Sequence, residues 1–193
     1  MVDLLVVGLG NPGSRYAGTR HNVGADAVLT IASRCGERMR QDSKVSSETA
    51  RVRLGSVVAV LALPTTFMND SGRALSQLLR RHPLDDWTGL VVVHDELDLE
   101  PGTVRVKSGG GLAGHNGLRS IEEHLGTRDF TRVRIGVGKP PGGAERGVDW
   151  VLSKVSGQAR EILGGSVERA ADAVESIASV GIDATMAEFN ARA

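Results

Sequence analysis

A histidine, an aspartate and three asparagines stand where their side chains could carry out hydrolysis. A histidine paired with a carboxylate can take a proton from water near neutral pH, because its reference pKa is about 6.5 and the carboxylate fixes its tautomer. Asparagine amides are neutral donors that suit a developing oxyanion. The candidate catalytic residues are His21, Asp95, Asn11, Asn69 and Asn116.

The type of hydrolysis follows from what accompanies these residues. No serine or cysteine stands in a nucleophile elbow, a strand-turn-helix signature that would indicate a covalent intermediate. The minimal mechanism is therefore direct attack by an activated water. An ester is easier to cleave in this way than an amide, so the sequence favours an ester substrate.

Each candidate also has a structural alternative. His21 could be a loop residue that makes one hydrogen bond, and Asn69 and Asn116 could simply cap the helices that follow them. The acidic run at residues 95–98 could be a solvated turn or a magnesium site, although no phosphate-binding lysine motif accompanies it. The occurrence of all these residues after apolar runs favours a common site.

The glycines near the N-terminus allow a second interpretation. Gly8, Gly10 and Gly13 match the G-x-G-x-x-G dinucleotide fingerprint. That fingerprint should lead directly into a helix and should be followed by an acid about 20 residues later, at the end of the next strand. Pro12 and the polar stretch 14–20 interrupt the pattern instead, so dinucleotide binding is disfavoured.

Apolar runs and their spacing predict the elements that position the candidates. Buried strands are expected at Asp3–Leu9 and Leu90–His94, and weaker alternation predicts strands at Thr103–Lys107 and Thr131–Val137. Residues 45–54 and 56–63 indicate a hairpin around Gly55. Helices are expected from Asn22 as N-cap to Gly36, from Asp70 or Ser71 through Leu79, at Asn116–Leu125, and over the C-terminal third, where an apolar stripe includes Ile162, Val167, Ala170 and Val174.

Alternation of strands and helices predicts an α/β sandwich with a twisted mixed sheet flanked by helices. The 193 residues are expected to form one domain, 1–193, because no repeat or linker divides them. The glycine- and proline-rich segment 138–147 is the expected mobile connection. In an open α/β sheet, ligands bind beyond the carboxyl ends of the strands, and the candidate residues follow those ends.

Composition limits the class of protein. The 23 basic and 23 acidic residues balance, but residues 101–140 contain more basic than acidic residues. This local positive charge suits binding to nucleic acid. One cysteine, Cys35, has no internal disulfide partner and is expected to be inert, which favours a reducing compartment. No apolar run approaches the roughly 20 residues of a membrane span. The sequence thus predicts a soluble protein without membrane association.

Four blocks of the sequence resemble the bacterial peptidyl-tRNA hydrolase family. They are residues 8–24, 64–72, 94–99 and 109–118, and they occur in the family's order and spacing. The resemblance extends over residues 3–155. Trp150 departs from the pattern, which has a tyrosine there.

The resemblance implies a cytoplasmic, monomeric esterase without metal or cofactor, which cleaves the ester between a peptide and the 3′-terminal ribose of tRNA. His21 would be the general base and Asp95 its orienting partner. Asn69 and Asn116 would bind the 3′ end and position the water or the carbonyl. Asn11 would help to distinguish an acylated from a free amino group.

The resemblance also implies a set of binding residues. Tyr16 and Phe67 would line the cleft near the terminal nucleotide, where stacking on a base contributes about 1–3 kcal/mol. Lys107 and Arg134 would hold the 5′ phosphate of the tRNA. The full binding set is Tyr16, Phe67, Met68, Asn69, His115, Asn116, Lys107 and Arg134.

Two other functions stay open at this point. One is a noncatalytic RNA-binding relative that keeps the fold and the cleft. The other is a general esterase for small acyl esters, because activation of water does not by itself specify tRNA. Competition by uncharged tRNA that weakens with salt would separate the second from a tRNA hydrolase.

Overall fold

The computed structural model describes residues 2–143 and 146–191, and within these ranges seven strands form one mixed sheet. The strands are β1 (Leu4–Gly8), β2 (Arg40–Asp42), β3 (Ser47–Leu54), β4 (Val57–Pro64), β5 (Leu90–Glu96), β6 (Val104–Ser108) and β7 (Thr131–Gly136). Their spatial order is β2-β3-β4-β1-β5-β7-β6. The central strands β4, β1, β5 and β7 run parallel, and β2, β3 and β6 join the sheet by antiparallel pairing.

Six α-helices in the described ranges pack on the two faces of this sheet. They are α1 (Val23–Arg34), α2 (Ser71–Arg81), α3 (Asn116–Leu125), α4 (Gly147–Val151), α5 (Gly157–Val180) and α6 (Ile182–Asn190). Short 3-10 helices at Arg20–Asn22 and Met68–Asp70 precede α1 and α2, and a third occurs at Trp87–Gly89. The predicted α/β sandwich with a mixed sheet is confirmed. The single domain 1–193 stays a prediction.

Alternation along β1 creates two separate cores. Leu4 and Val6 pack with α1, α5 and α6 on one face, whereas Leu5 and Val7 pack with α2 and α3 on the other. A central parallel strand must be apolar on both faces because helices cover both. This burial on both faces explains why the residues of β1 form an unbroken apolar run, and it agrees with the central place of β1 in the sheet.

Close packing at two glycines sets the position of the segment that carries His21. A Cβ on Gly24 would lie 2.2 Å from the carbonyl oxygen of Val93 in β5, and a Cβ on Gly8 would lie 2.4 Å from the carbonyl oxygen of Gly24. Helix α1 can therefore begin directly against β1 and β5 only because both residues lack a side chain. This contact brings the 3-10 helix at Arg20–Asn22 next to the end of β5.

Several predicted elements agree with the structure. The hairpin is confirmed as β3 and β4, which pair in antiparallel register from Leu54 opposite Val57. Helix α3 has the predicted bounds, Asn116–Leu125. The predicted mobile connection 138–147 includes residues 144 and 145, which lie outside the described residues. Among the described helices, none has the combined length and hydrophobicity that a membrane span requires.

Other predictions were wrong in detail. Strand β5 does not stop at His94 but continues to Glu96, because residues 94–96 keep pairing with β7. The edge strand β2 was not predicted, since its three residues are all polar and show no apolar pattern. Ile162 was placed in the apolar stripe of α5 but is 40% exposed, and Leu163 is buried in its place.

Candidate active site

A cleft of about 610 Å³ opens beyond the carboxyl ends of the central strands. It contains all five predicted catalytic residues, two of which (Asn69 and Asn116) also belong to the predicted binding set, and three further binding residues. The residues are Asn11, His21, Asn69, Asp95, Asn116, Phe67, Met68 and His115. Tyr16, Lys107 and Arg134 are not among the residues that line it. The structure thus assembles most of the predicted set from four separate parts of the chain.

His21 and Asp95 form a buried pair at the bottom of this cleft. The Nδ1 atom of His21 lies 2.9 Å from both carboxylate oxygens of Asp95. Because an ionised carboxylate can only accept hydrogen bonds, His21 donates from Nδ1. This tautomer leaves Nε2 with a free lone pair, and Nε2 has no hydrogen-bond partner among the described residues.

His115 also binds Asp95, but both of its ring nitrogens are occupied. Its Nε2 lies 2.9 Å from Asp95 Oδ1, while its Nδ1 accepts hydrogen bonds from the backbone N–H groups of Gly117 and Leu118 at 3.1 and 3.4 Å. His115 is therefore the N-cap of α3, and the cap fixes its tautomer with the hydrogen on Nε2. His115 orients Asp95 and has no free nitrogen to act as a base.

A third histidine, His94, lies beneath this group. Its Nδ1 donates to the backbone carbonyl of Asp95 at 2.7 Å, and its ring centroid is 5.0 Å from that of His115. Burial, with a contribution from His115, lowers the pKa of His94 to about 3. His94 thus stays neutral, although nothing in the sequence separates it from the other histidines.

The charge state of Asp95 follows from its two imidazole partners. Burial by itself raises the pKa of this carboxyl, but His115 and His21 lower it by a larger amount, through charge and hydrogen bonds. The net result is a pKa well below the ordinary range. Asp95 is therefore an ionised carboxylate, only 2% exposed, that holds two histidines at once.

The same three residues bring metal-ligating atoms within 4.8 Å of one another. The nitrogens that face the carboxylate carry hydrogens, as the N-cap of His115 requires, and a protonated ring nitrogen cannot bind a metal. Hydrogen bonds alone account for this cluster. In the acidic run suggested as a magnesium site, Glu96 is paired with Arg134 and Asp98 with Lys139.

Asn11 is held so that its amide N–H₂ has no hydrogen-bond partner in the part of the chain that the structure describes. Its backbone N–H donates to Oδ1 of Asn22 at 2.9 Å, and its carbonyl accepts from Asn22 Nδ2 at 3.0 Å. The side-chain oxygen of Asn11 accepts from the backbone N–H of Met68 at 2.8 Å. Asn22 was predicted as an N-cap, and it occupies that position, but its side chain makes no capping bond and braces Asn11 instead.

The capping alternatives for Asn69 and Asn116 are wrong. Asn69 lies inside the 3-10 helix Met68–Asp70, and His115, not Asn116, caps α3. Both asparagine side chains are exposed and line the cleft. Ala113 adopts a left-handed conformation (φ 49°) in the turn before Asn116, which a residue with a Cβ rarely does and which directs the chain into α3.

The two predicted aromatic residues are in contact with each other. The ring centroids of Tyr16 and Phe67 are 6.2 Å apart with the planes nearly perpendicular. Phe67 is 57% exposed at the cleft, which leaves its ring open to a ligand. Tyr16 supports Phe67 from outside the lining of the cleft.

The two predicted phosphate-binding residues differ in their surroundings. Lys107 is exposed on β6 and lies against the glycine loop, since a Cβ on Gly110 would be 2.5 Å from its Nζ. Arg134 is paired with the buried carboxylate of Glu96 at 3.1 Å. Its neighbour Arg132 is buried and donates to the carbonyls of Gly110 and Gly111 at 2.8 and 2.6 Å, which fixes the loop before α3.

Sequence reasoning missed the apolar wall of the cleft. Helix α4 and the residue after it contribute Val148, Val151 and Leu152 to the lining. Val148 is 62% exposed and Leu152 36% exposed. A helix of five residues is too short to show an apolar period, and it follows a segment rich in glycine and proline, so no signal in the sequence identifies it.

Comparisons with known proteins agree with this geometry. The family model described as peptidyl-tRNA hydrolase matches residues 5–193. The chain is 46% identical to a peptidyl-tRNA hydrolase of Cutibacterium acnes over 196 residues, covering 96% of this chain and 97% of that protein. It is 45% identical to one of Mycolicibacterium gilvum, with 93% of each covered. The crystal structure of peptidyl-tRNA hydrolase from Acinetobacter baumannii superposes with a TM-score of 0.91 at 36% identity, covering 98% of this chain and 95% of that one.

Proposed function

The chain belongs to the peptidyl-tRNA hydrolase family, and from that premise we propose that it hydrolyses peptidyl-tRNA with His21 as the general base. The bond cleaved is the ester between the peptide and the 3′-terminal ribose. The observation that carries this assignment is the His21–Asp95 pair, in which the carboxylate occupies Nδ1 and leaves Nε2 for a water in the cleft.

The proton moves between water, His21 and the ribose. Nε2 of His21 takes a proton from water while the water oxygen attacks the ester carbonyl, and the Asp95 carboxylate stabilises the imidazolium that forms. The tetrahedral intermediate then expels the ribose oxygen, which receives the proton from Nε2. The products are a peptide with a free carboxyl group and a tRNA with a free 3′ end, and no covalent enzyme intermediate forms.

Asn11 supports selection of the blocked substrate. Because its oxygen accepts from Met68, the group that it presents is a hydrogen-bond donor. A donor pairs with the carbonyl of an N-acyl or peptide group. A free α-ammonium offers only donors and a positive charge, so an unblocked aminoacyl-tRNA makes no such bond.

Asn69 and Asn116 complete the polar side of the cleft. Their exposed amides have no protein partner among the described residues, and each can donate to an oxyanion or accept from the ribose or the water. The exposed ring of Phe67 supports stacking on the terminal base. Lys107 supports a phosphate contact away from the cleft, which supplies affinity without reading sequence. We also propose that the protein works as a cytoplasmic monomer.

The experiment that tests this function compares two substrates. Release of tRNA is followed from an N-acetylated aminoacyl-tRNA and from the unblocked aminoacyl-tRNA, with EDTA present. We expect selective cleavage of the blocked substrate. His21→Ala should lower kcat by roughly 100-fold or more and leave tRNA affinity nearly unchanged.

His82→Ala is the matched control, because His82 lies at the end of α2, outside the cleft lining. It should retain the wild-type rate. Full activity of His21→Ala would refute the mechanism. Binding of tRNA without cleavage would favour the binding module, and cleavage of small acyl esters that uncharged tRNA does not inhibit would favour a general esterase.

A further inference from the structure

Arg20, the residue before His21, is stacked on the indole ring of Trp150. The guanidinium carbon lies 3.6 Å from the ring centroid. Arg20 Nη1 also donates to the hydroxyl of Ser153 at 2.6 Å, and that hydroxyl in turn donates to the carbonyl of Trp150 at 2.6 Å. Arg20 has no carboxylate partner among the described residues. Its guanidinium instead contacts the ring face of Trp150 and the hydroxyl of Ser153. The cation is thus directed at α4.

Trp150 also binds the end of the sheet. Its Nε1 donates to the carbonyl of Gly138 at 2.9 Å and lies 3.3 Å from that of Val137. One side chain therefore connects α4, the exit of β7 and the segment that carries His21. A bridge between Thr19 and Lys154 and a hydrogen bond from Val155 N to Gly18 O join the two segments just beyond the stack.

The opposite side of α4 forms the apolar wall of the cleft. Val148 and Val151 are three residues apart and share one face of the helix, and Leu152 follows them. Trp150 is directed away from this face. Since α4 has only five residues, it cannot hold its own position by internal hydrogen bonds, so tertiary contacts must do so.

We propose that Arg20 and Trp150 form a clasp that holds α4 against the His21 segment and so positions the apolar wall for the acyl group of the substrate. Both are positioning residues that govern binding of the peptide part, and neither touches the reacting atoms. The inference rests on the proposed function only in naming the acyl group as the occupant. The wall is apolar and partly exposed, so an apolar side chain or peptide fits it better than a charged one.

The clasp itself is tested without any substrate. Trp87 and Trp150 are the only two tryptophans of the chain, so the Trp87→Phe protein reports Trp150 alone. Acrylamide quenching of its fluorescence is compared with and without Arg20→Met. We expect a larger quenching constant in Arg20→Met, because removal of the guanidinium exposes one ring face. Arg169→Met is the matched control, since Arg169 stacks on Phe189 at 4.8 Å, outside the cleft lining, and it should not change the quenching.

The consequence for the wall is tested by kinetics on two substrates. N-acetylglycyl-tRNA carries almost no apolar group, whereas a tRNA with an acetylated dipeptide of leucine carries a large one. For the leucine substrate, Trp150→Ala and Arg20→Met should each raise KM about 5-fold, the factor that corresponds to a contact of about 1 kcal/mol. The KM for the glycine substrate and both kcat values should stay near wild type. Trp150→Phe, which keeps one aromatic ring but loses the second ring of the indole and its Nε1, should fall between.

Each outcome decides the inference. Quenching that Arg20→Met does not change would show that the stack is absent in solution and would overturn the clasp. Increased quenching with an unchanged KM for both substrates, or an equal rise for both, would overturn its role in positioning the wall. If the wild-type protein cleaved neither substrate, the proposed function would fail separately, and the quenching result would still decide the clasp.

Discussion

Replacing Asp95 by asparagine should disable the base while the site keeps its shape. Oδ1 of Asp95 accepts from both His21 and His115, and Oδ2 accepts from His21 alone, all at 2.9 Å. His115 must donate because its Nδ1 is occupied by the backbone of α3. The amide oxygen of asparagine therefore takes the place of Oδ1, and its N–H₂ group takes the place of Oδ2, directly against the hydrogen on His21 Nδ1.

His21 can relieve this donor–donor contact by moving its hydrogen to Nε2, which removes the lone pair that must accept a proton from water. In a Ser-His-Asp triad the same exchange lowers kcat by about 10⁴-fold through the wrong tautomer. Here one acceptor oxygen stays within reach of His21, so we expect a loss of about 10²–10⁴-fold, equivalent to about 3–5 kcal/mol of activation free energy. Because Asp95 is buried and both of its oxygens are bonded to the two histidines, KM should change little.

The assay is steady-state hydrolysis of N-acetyl-aminoacyl-tRNA, together with ¹⁵N NMR of the His21 ring to identify the protonated nitrogen. Asp98→Asn is the matched control: the same exchange three residues later, at an exposed carboxylate paired with Lys139 at 3.0 Å, should leave kcat unchanged. A kcat for Asp95→Asn equal to that of the control would refute the role assigned to the carboxylate. So would an NMR spectrum that still shows the hydrogen on Nδ1 in a protein with low kcat.

Three further predictions follow from other contacts. Asn11→Asp replaces the donor at the cleft by an acceptor, so the ratio of rates for blocked and unblocked substrates should fall by about 10-fold or more in the two-substrate assay. Lys107→Ala should lower the slope of log affinity for tRNA against log salt by about 1, whereas Lys44→Ala, in the turn after β2, should leave it unchanged. Folded His94 has a pKa of about 3, so below pH 6.5 only the unfolded chain gains a proton and stability is lost on acidification. In urea unfolding, the wild type should lose about 2 kcal/mol more between pH 7 and pH 5 than His94→Asn, and an equal loss in both proteins would show that His94 is not buried in its neutral form.

The sequence predicts the elements that are long or strongly apolar. The runs that become β1 and β5, the hairpin and α3 are visible because burial on one or two faces imposes an apolar pattern. The end of β5 is not visible, because residues 94–96 are polar and continue the strand only through pairing with β7. Helix α4 has only five residues, too few to show the apolar periodicity by which a helix is recognised in a sequence. Ion pairs between strands, such as that of Arg134 with Glu96, depend on which strands lie side by side in the sheet. The spacing of residues along the sequence does not specify the order of the strands.

The three histidines near Asp95 show why the residue types could locate the site but could not identify which histidine is the general base. Two histidines bind the carboxylate of Asp95 and a third binds its backbone carbonyl, and the sequence alone assigns the same chemistry to all three. The hydrogen bonds separate them: His115 uses both nitrogens, on Asp95 and on the N-terminus of α3, and His94 is fully buried with a lowered pKa. Of the three, only His21 combines a bond from Nδ1 to Asp95 with a place in the lining of the cleft for a free Nε2. The ionised state of Asp95 would make an imidazolium at His21 favourable, which is why we propose His21 Nε2 as the atom that takes the proton from water and returns it to the ribose.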